Sequence, residues 1–290
     1  MKHMSADMKS IKLRIKSVQG TMQITKAMEL VASSKLRKAK ERADNCKPYF
    51  EVLHETLQDI AGGYVGFSSA YVKKPVNDKY CYVVIAGDRG MAGGYNANVF
   101  KRLEADSAGK DIMVLPIGKK AVEYCQRKNI EMLTEDFATV AEVSVADCFS
   151  IANILCTEFK AGRFGHVELC YTQFISMLSQ SPDSFPILPL PDLVADGVDG
   201  EKQKKLEQTL YDPNPEEVFE IIVPEYLAGL LYSGVCESIA SELAARRTAM
   251  DAATKNAGDM IEQLNLFYNR ARQAGITQEI TEIVAGAEGV

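Results

Sequence analysis

Both ends of this chain carry an apolar stripe at heptad spacing that is too long for an ordinary surface helix. Stepping alternately three and four residues from the N-terminus gives Met8, Ile11, Ile15, Val18, Met22, Thr25, Glu29, Ala32, Leu36, Ala39, Ala43, Cys46, Phe50, Leu53, Leu57 and Ile60. Only Thr25 and Glu29 break it, whereas a chain that is 47% apolar would fill about half of such positions by composition alone. A period held over about seven heptads predicts a coiled-coil helix. Gly62-Gly63 supplies its stop. Pro48 removes one backbone donor and should kink it. At the rise of an α-helix, residues 4–60 would extend roughly 85 Å and so project from any domain of this size.

The C-terminal stripe begins after Asp212-Pro213-Asn214-Pro215-Glu216-Glu217, a helix start with acids in its first turn. The same spacing gives Gly229, Tyr232, Cys236, Ile239, Leu243, Arg246, Met250, Ala253, Ala257, Met260, Leu264, Phe267, Ala271, Ala274, Gln278 and Thr281. Pro224 should distort its first turns. From Glu216 to Ala285 the helix would reach roughly 105 Å. Ala32, Ala39 and Ala43 in one stripe, and Ala253 and Ala257 in the other, allow two backbones to approach closely. The two segments come from opposite ends of the chain and must meet at one domain, so antiparallel pairing is the economical topology.

Between them the period changes. Tyr80–Ala86 is a buried-strand run, followed by a glycine turn and a helix from about Asn96 to Ala108. Asp111–Leu115 reads as a second strand and Lys119–Lys128 as a helix. A short strand near Ile130–Leu133, a helix over Val145–Ala161 and a strand over Val167–Ile175 follow, and residues 179–205 read as loop. Strands alternating with helices predict an α/β domain with a largely parallel sheet. The expected fold is thus α/β, with a long antiparallel two-helix coiled coil at 1–62 and 213–290 and a central Rossmann-like domain at 76–210.

Net charge is −6, yet residues 1–47 hold twelve Lys/Arg against four Asp/Glu, a net of +8 that leaves −14 on the rest. A basic helix on an acidic protein suits an acidic partner. The seven cysteines are widely spaced with no C-x-x-C, which fits reduced buried thiols, and three scattered histidines suggest no metal cluster. No uncharged apolar run of membrane-spanning length and no secretory signal are read in the sequence. The most enzyme-like feature is Gly87-Asp88-Arg89-Gly90-Met91-Ala92-Gly93-Gly94, placed where a Rossmann fold puts its phosphate loop. It spells G-x-x-G-x-x-G rather than G-x-G-x-x-G, and Asp88 would repel a pyrophosphate. The expectation is a tight turn held by an internal Asp–Arg or backbone contact, with no cofactor. P-loop, G-x-S-x-G and H-E-x-x-H signatures are absent from the sequence. Glu279 and Glu282, one turn apart, are read as helix solubility rather than as an acid/base pair. A nucleotide-dependent enzyme using the α/β domain and a coiled-coil scaffold using the helices are the competing classes.

Four stretches then carry a resemblance. Ile15-Lys16-Ser17-Val18-Gln19 with Thr21 to Lys35 resembles the N-terminal helix of the gamma subunit of F-type ATP synthases. Asp88 to Asn96 resembles that family's glycine loop. Glu242, Ala245-Arg246-Arg247-Thr248-Ala249-Met250, Ala253-Thr254 and Asn256-Ala257 resemble its C-terminal helix, and Asn269 to Ala287 its terminal signature. Ala92 stands where the family often has Cys and Gln23 where it often has Lys.

The resemblance implies a central rotor stalk, one copy per complex. Its coiled coil enters the hexamer of alpha and beta subunits, and its α/β foot meets the epsilon subunit and the c-subunit ring. It implies no catalytic site of its own and no nucleic acid, with membrane attachment only through the complex, on the cytoplasmic face. Carried over motif by motif, Lys26, Met28, Arg246, Gln273, Thr277 and Glu279 are the expected contacts with beta, and Tyr211 the expected c-ring contact.

Overall fold

The β-branched and aromatic run Lys79–Ile85 forms the first strand, β1, at the heart of the sheet. The computed structural model describes residues 2–63, 67–73, 75, 77–190 and 211–288. In chain order the elements are α1 (Lys2–Gly63), β1, α2 (Tyr95–Asp106), β2 (Asp111–Ile117), α3 (Lys119–Lys128), α4 (Val145–Lys160), β3 (His166–Phe174), β4 (Gln180–Leu188) and α5 (Pro215–Glu288). Pro48 and Pro224 lie inside α1 and α5 without ending either helix.

The chain divides into two compact units. One comprises residues 34–245 and holds the sheet, ordered β2-β1-β3-β4, with β1 parallel to β2 and β3, and β4 antiparallel to β3. Alternation along β1 splits its side chains between two cores. Cys81, Val83 and Ile85 pack with α4, Leu57 and Ile60 of α1, and Phe219 to Val235 of α5. Tyr82 and Val84 pack with Val99 and Leu103 of α2 and Ala121 and Tyr124 of α3. Helices on both faces make this a doubly wound three-layer domain. α5 contains one 18-residue window apolar enough by length and composition to cross a membrane, although no uncharged run of that length occurs in it, and half of that window is buried. Val223, Leu227, Leu231 and Val235 belong to the core, which accounts for the apolarity.

Two strand expectations change. Residues 180–188, read as loop because of their prolines, form β4. Proline has no N–H to give a ladder, so it is tolerated where a strand has a neighbour on one side only. β4 is such an edge: Pro182 and Pro186 pair with Thr172 and Glu168 of β3. Ser184, between them, donates its N–H to Asp183 Oδ1 at 2.9 Å, and its carbonyl accepts from Arg102 at 3.5 Å. The expected strand near Ile130–Leu133 reduces to one parallel bridge between Met132 and Val114. Of the expected loop 179–205, residues 191–205 lie outside the described residues.

The second unit comprises residues 1–33 and 246–290. α1 and α5 run antiparallel in it: Thr25 meets Thr254, and Ile11 shares a groove with Leu264, Phe267 and Ala271. Every described N-terminal stripe position in this unit is buried or half-buried. On α5 the stripe keeps Met250, Ala257, Leu264 and Ala271, but its alternate positions sit one residue later, at Thr254, Ile261, Tyr268 and Gly275. Met260 (41% exposed) and Phe267 (56%) face outward, as does Ala274. A three-four and a four-three step share every second position, and Met260-Ile261 and Phe267-Tyr268 are apolar in either phase, so spacing alone does not choose.

Candidate functional site

The crevice beyond the carboxyl ends of β1 and β3 is where a doubly wound sheet binds ligands. Here Gly87, which follows β1, packs against Glu242 of α5. Asp88 Oδ1 accepts from the backbone N–H groups of Lys119 (3.2 Å) and Val140 (2.9 Å), and Oδ2 accepts from Ala141 (3.2 Å). Lys119 opens α3, so the carboxylate occupies the place an anion takes at a helix N-terminus. Gly87 N–H donates to Asn96 Oδ1 at 2.9 Å, and a Cβ on Gly87 would meet Glu242 Oε1 at 2.7 Å. The glycine loop is therefore a tight turn held by backbone contacts, as its spelling suggested. Gly93 (φ 57°) and Met91 (φ 60°) adopt left-handed backbone in it. Among the described residues no cluster of three or more His, Cys, Asp or Glu is placed to hold a metal.

The other candidate is the surface of the two-helix unit. The two polar residues of the N-terminal stripe both find partners there. Thr25 Oγ1 lies 2.8 Å from Thr254 Oγ1, and Glu29 accepts from Lys26 Nζ at 2.9 Å. Lys255 donates to Asp251 at 2.8 Å, and this bond, with Lys26 and Arg247 near by, holds the Asp251 carboxyl below the usual carboxylate range. Lys9, Lys12, Arg14, Lys16 and Lys26 are all exposed, so the basic face of α1 is turned to solvent in this unit.

Six of the seven expected contact residues lie in this unit. Lys26 is exposed and Met28 half-buried on α1; on α5 Arg246 is half-buried, and Gln273, Thr277 and Glu279 are exposed. Thr277 Oγ1 donates to Gln273 O at 3.0 Å, fixing the two on one helix face. Lys26 and Met28 are not brought into one cluster with Gln273, Thr277 and Glu279. Tyr211 belongs to the other unit, half-buried against its core. The described side chains from Ile276 to Ala287 are all exposed, Ile280, Ile283 (71%) and Val284 among them. That apolar surface is without cover from the described residues of this chain.

The ATP synthase family model matches residues 7–290. The chain belongs to the ATP synthase gamma-chain family. It is 49% identical over 284 residues to the ATP synthase gamma chain of Ruminococcus albus, covering 96% of each, and 41% identical over 290 residues to that of Alkaliphilus metalliredigens, covering 99% of this chain and 100% of the relative. It is 38% identical over 301 residues to the gamma chain of Acetobacterium woodii, which is named sodium ion specific; 99% of this chain and 100% of that one are covered. Among solved structures it resembles a chain of the Euglena gracilis mitochondrial ATP synthase, OSCP/F1/c-ring, with TM-score 0.68 and 18% identity over 98% of this chain and 95% of that one. It also resembles a chain of the Tetrahymena thermophila mitochondrial ATP synthase central stalk and c-ring, with TM-score 0.57 and 23% identity over 79% and 99%. As a gamma subunit it works inside a membrane-associated F-type ATP synthase, and the exposed helices take their meaning from that.

Proposed function

We propose that this gamma subunit turns as the central stalk, with residues 1–62 and 213–290 as its shaft and 76–210 as its foot. Ion flow through the c-subunit ring turns the foot, which the epsilon subunit accompanies. The shaft carries that rotation into the hexamer of alpha and beta subunits, where each catalytic site is forced through its cycle. The chain has no catalytic site of its own and sits, one copy per complex, on the cytoplasmic face of the cell membrane.

One observation carries this reading: the last turns of α5 expose Ile276, Ile280, Ile283 and Val284, with no cover from the described residues. Apolar contact has no preferred angle, so such a tip can turn inside an apolar sleeve without locking. The exposed basic face of α1 supports approach to acidic loops of beta. Lys26, Met28, Arg246, Gln273, Thr277 and Glu279 are the proposed beta contacts and Tyr211 the c-ring contact. The coupling role is tested by assembling the complex in vesicles with and without the chain: ion-driven ATP synthesis should appear only with it. Lys26→Glu and Met28→Lys should lower that synthesis more than they lower the thermal stability of the free chain. Unchanged synthesis with either variant would remove these two residues from the contact set.

A further inference from the structure

β3 outruns its neighbour. Its pairing with β1 ends at Cys170, yet the strand continues to Phe174. Over that overhang, side chains of α5 stand where a strand would. Thr172 N–H donates to Ser238 Oγ at 3.3 Å, Ser241 Oγ donates to Thr172 O at 3.2 Å, and Phe174 N–H donates to Glu237 Oε2 at 3.4 Å. Ser238 and Ser241 are fully buried. Just upstream, Gly234 lets α5 lie on Ile85 and Leu169: a Cβ there would meet their methyl groups at 3.3 and 3.2 Å. Just downstream, buried Glu242 packs against Gly87.

An apolar helix face can slide or roll on a sheet at little cost, because its contacts are non-directional. Hydrogen bonds to strand backbone fix both the height and the rotation of a helix. Buried hydroxyls are costly unless paired, and here the strand overhang pairs them. We infer that Glu237, Ser238, Ser241 and Glu242 form a lock by which the α/β domain grips α5, so that torque on the domain turns the helix without slip. α5 continues from this unit into the coiled-coil unit at Arg246, so the lock sits at the base of the segment that must carry the load. The inference rests on the rotor reading above.

The test uses Ser238→Ala/Ser241→Ala with two readouts. In the full chain, hydrogen exchange at the Thr172 amide should quicken roughly tenfold while Val83, inside the sheet, is unchanged. In the assembled complex, ATP hydrolysis should persist while ion-driven synthesis falls several-fold. Unchanged exchange at Thr172 overturns the lock. Faster exchange with full coupling also overturns it, and leaves the rotor reading standing. If the unaltered chain fails to restore synthesis, the rotor reading itself fails and the lock's role with it. Should the double variant not assemble, Ser238→Ala alone, which removes the acceptor of the Thr172 N–H, is put through the same two measurements.

Discussion

Gly229 lies under the ring of Phe50, where α5 and α1 pack in the α/β unit. A Cβ built on Gly229 would meet Phe50 Cε1 at 1.8 Å and Cδ1 at 1.9 Å. Carbon atoms settle at about 3.5 Å or more, so Gly229→Ala forces the ring back by roughly 1.7 Å. Overpacking of that kind costs about 1–3 kcal/mol. Replacing a mid-helix glycine by alanine returns about 1 kcal/mol of helix propensity. The net is a loss of about 1 kcal/mol, small because Phe50 is half-buried and part of its ring can swing toward solvent. Phe50→Ala alone should cost about 2 kcal/mol from lost burial. In the double variant the new methyl occupies space the ring has left, so the two losses should fall short of their sum by about 1–2 kcal/mol. Urea unfolding followed by circular dichroism gives all four corners of the cycle. A stabilising Gly229→Ala, or strictly additive losses, would refute the packing argument.

Three further outcomes follow from the same geometry. Asp88→Ala removes the acceptor of three backbone N–H groups and should destabilise the α/β unit by about 2–3 kcal/mol, with Asp88→Asn losing about half as much, read by urea unfolding. Burial pushes the thiols of Cys81, Cys148 and Cys170 up to about 12 and that of Cys125 to about 11. These thiols should resist iodoacetamide at about pH 8 in the native chain and react on unfolding. Because the unfolded chain loses those protons first, native stability should fall as pH rises from about 9 towards 12, a trend measurable by thermal unfolding. Replacing Pro182, Asp183 and Pro186 together by valine should restore outward donors and an apolar surface to the β4 edge. Sedimentation velocity should then show self-association, and a monomeric variant would mean the edge is guarded by something else.

Periodicity made most of the fold legible. The two long helices, three parallel strands and three intervening helices all follow from apolar spacing and glycine or proline punctuation. β4 was hidden because Pro182 and Pro186 read as loop residues until the strand is known to have only one neighbour among the described residues. The seam of α5 was half legible, since Met260-Ile261 and Phe267-Tyr268 offer an apolar residue in either phase. Only the partner helix, through contacts such as Thr25 with Thr254, selects one. Asp88 announced itself as wrong for a phosphate loop, but its acceptance of N–H groups from residues 119, 140 and 141 depends on chain far from it. Glu237, Ser238 and Ser241 gave no signal at all. Serine within an apolar helix has many uses, and a strand overhang has no sequence signature.

The rotor reading is tested most directly by watching the foot turn. The six described native thiols are buried, so Lys101→Cys, on the exposed side of α2, in a Cys46→Ser background gives one reactive handle for a bead. With the alpha and beta subunits fixed to a surface and ATP supplied, the bead should rotate stepwise and always in one direction. A bead that stays still, or only fluctuates, while the same complexes hydrolyse ATP would contradict the account.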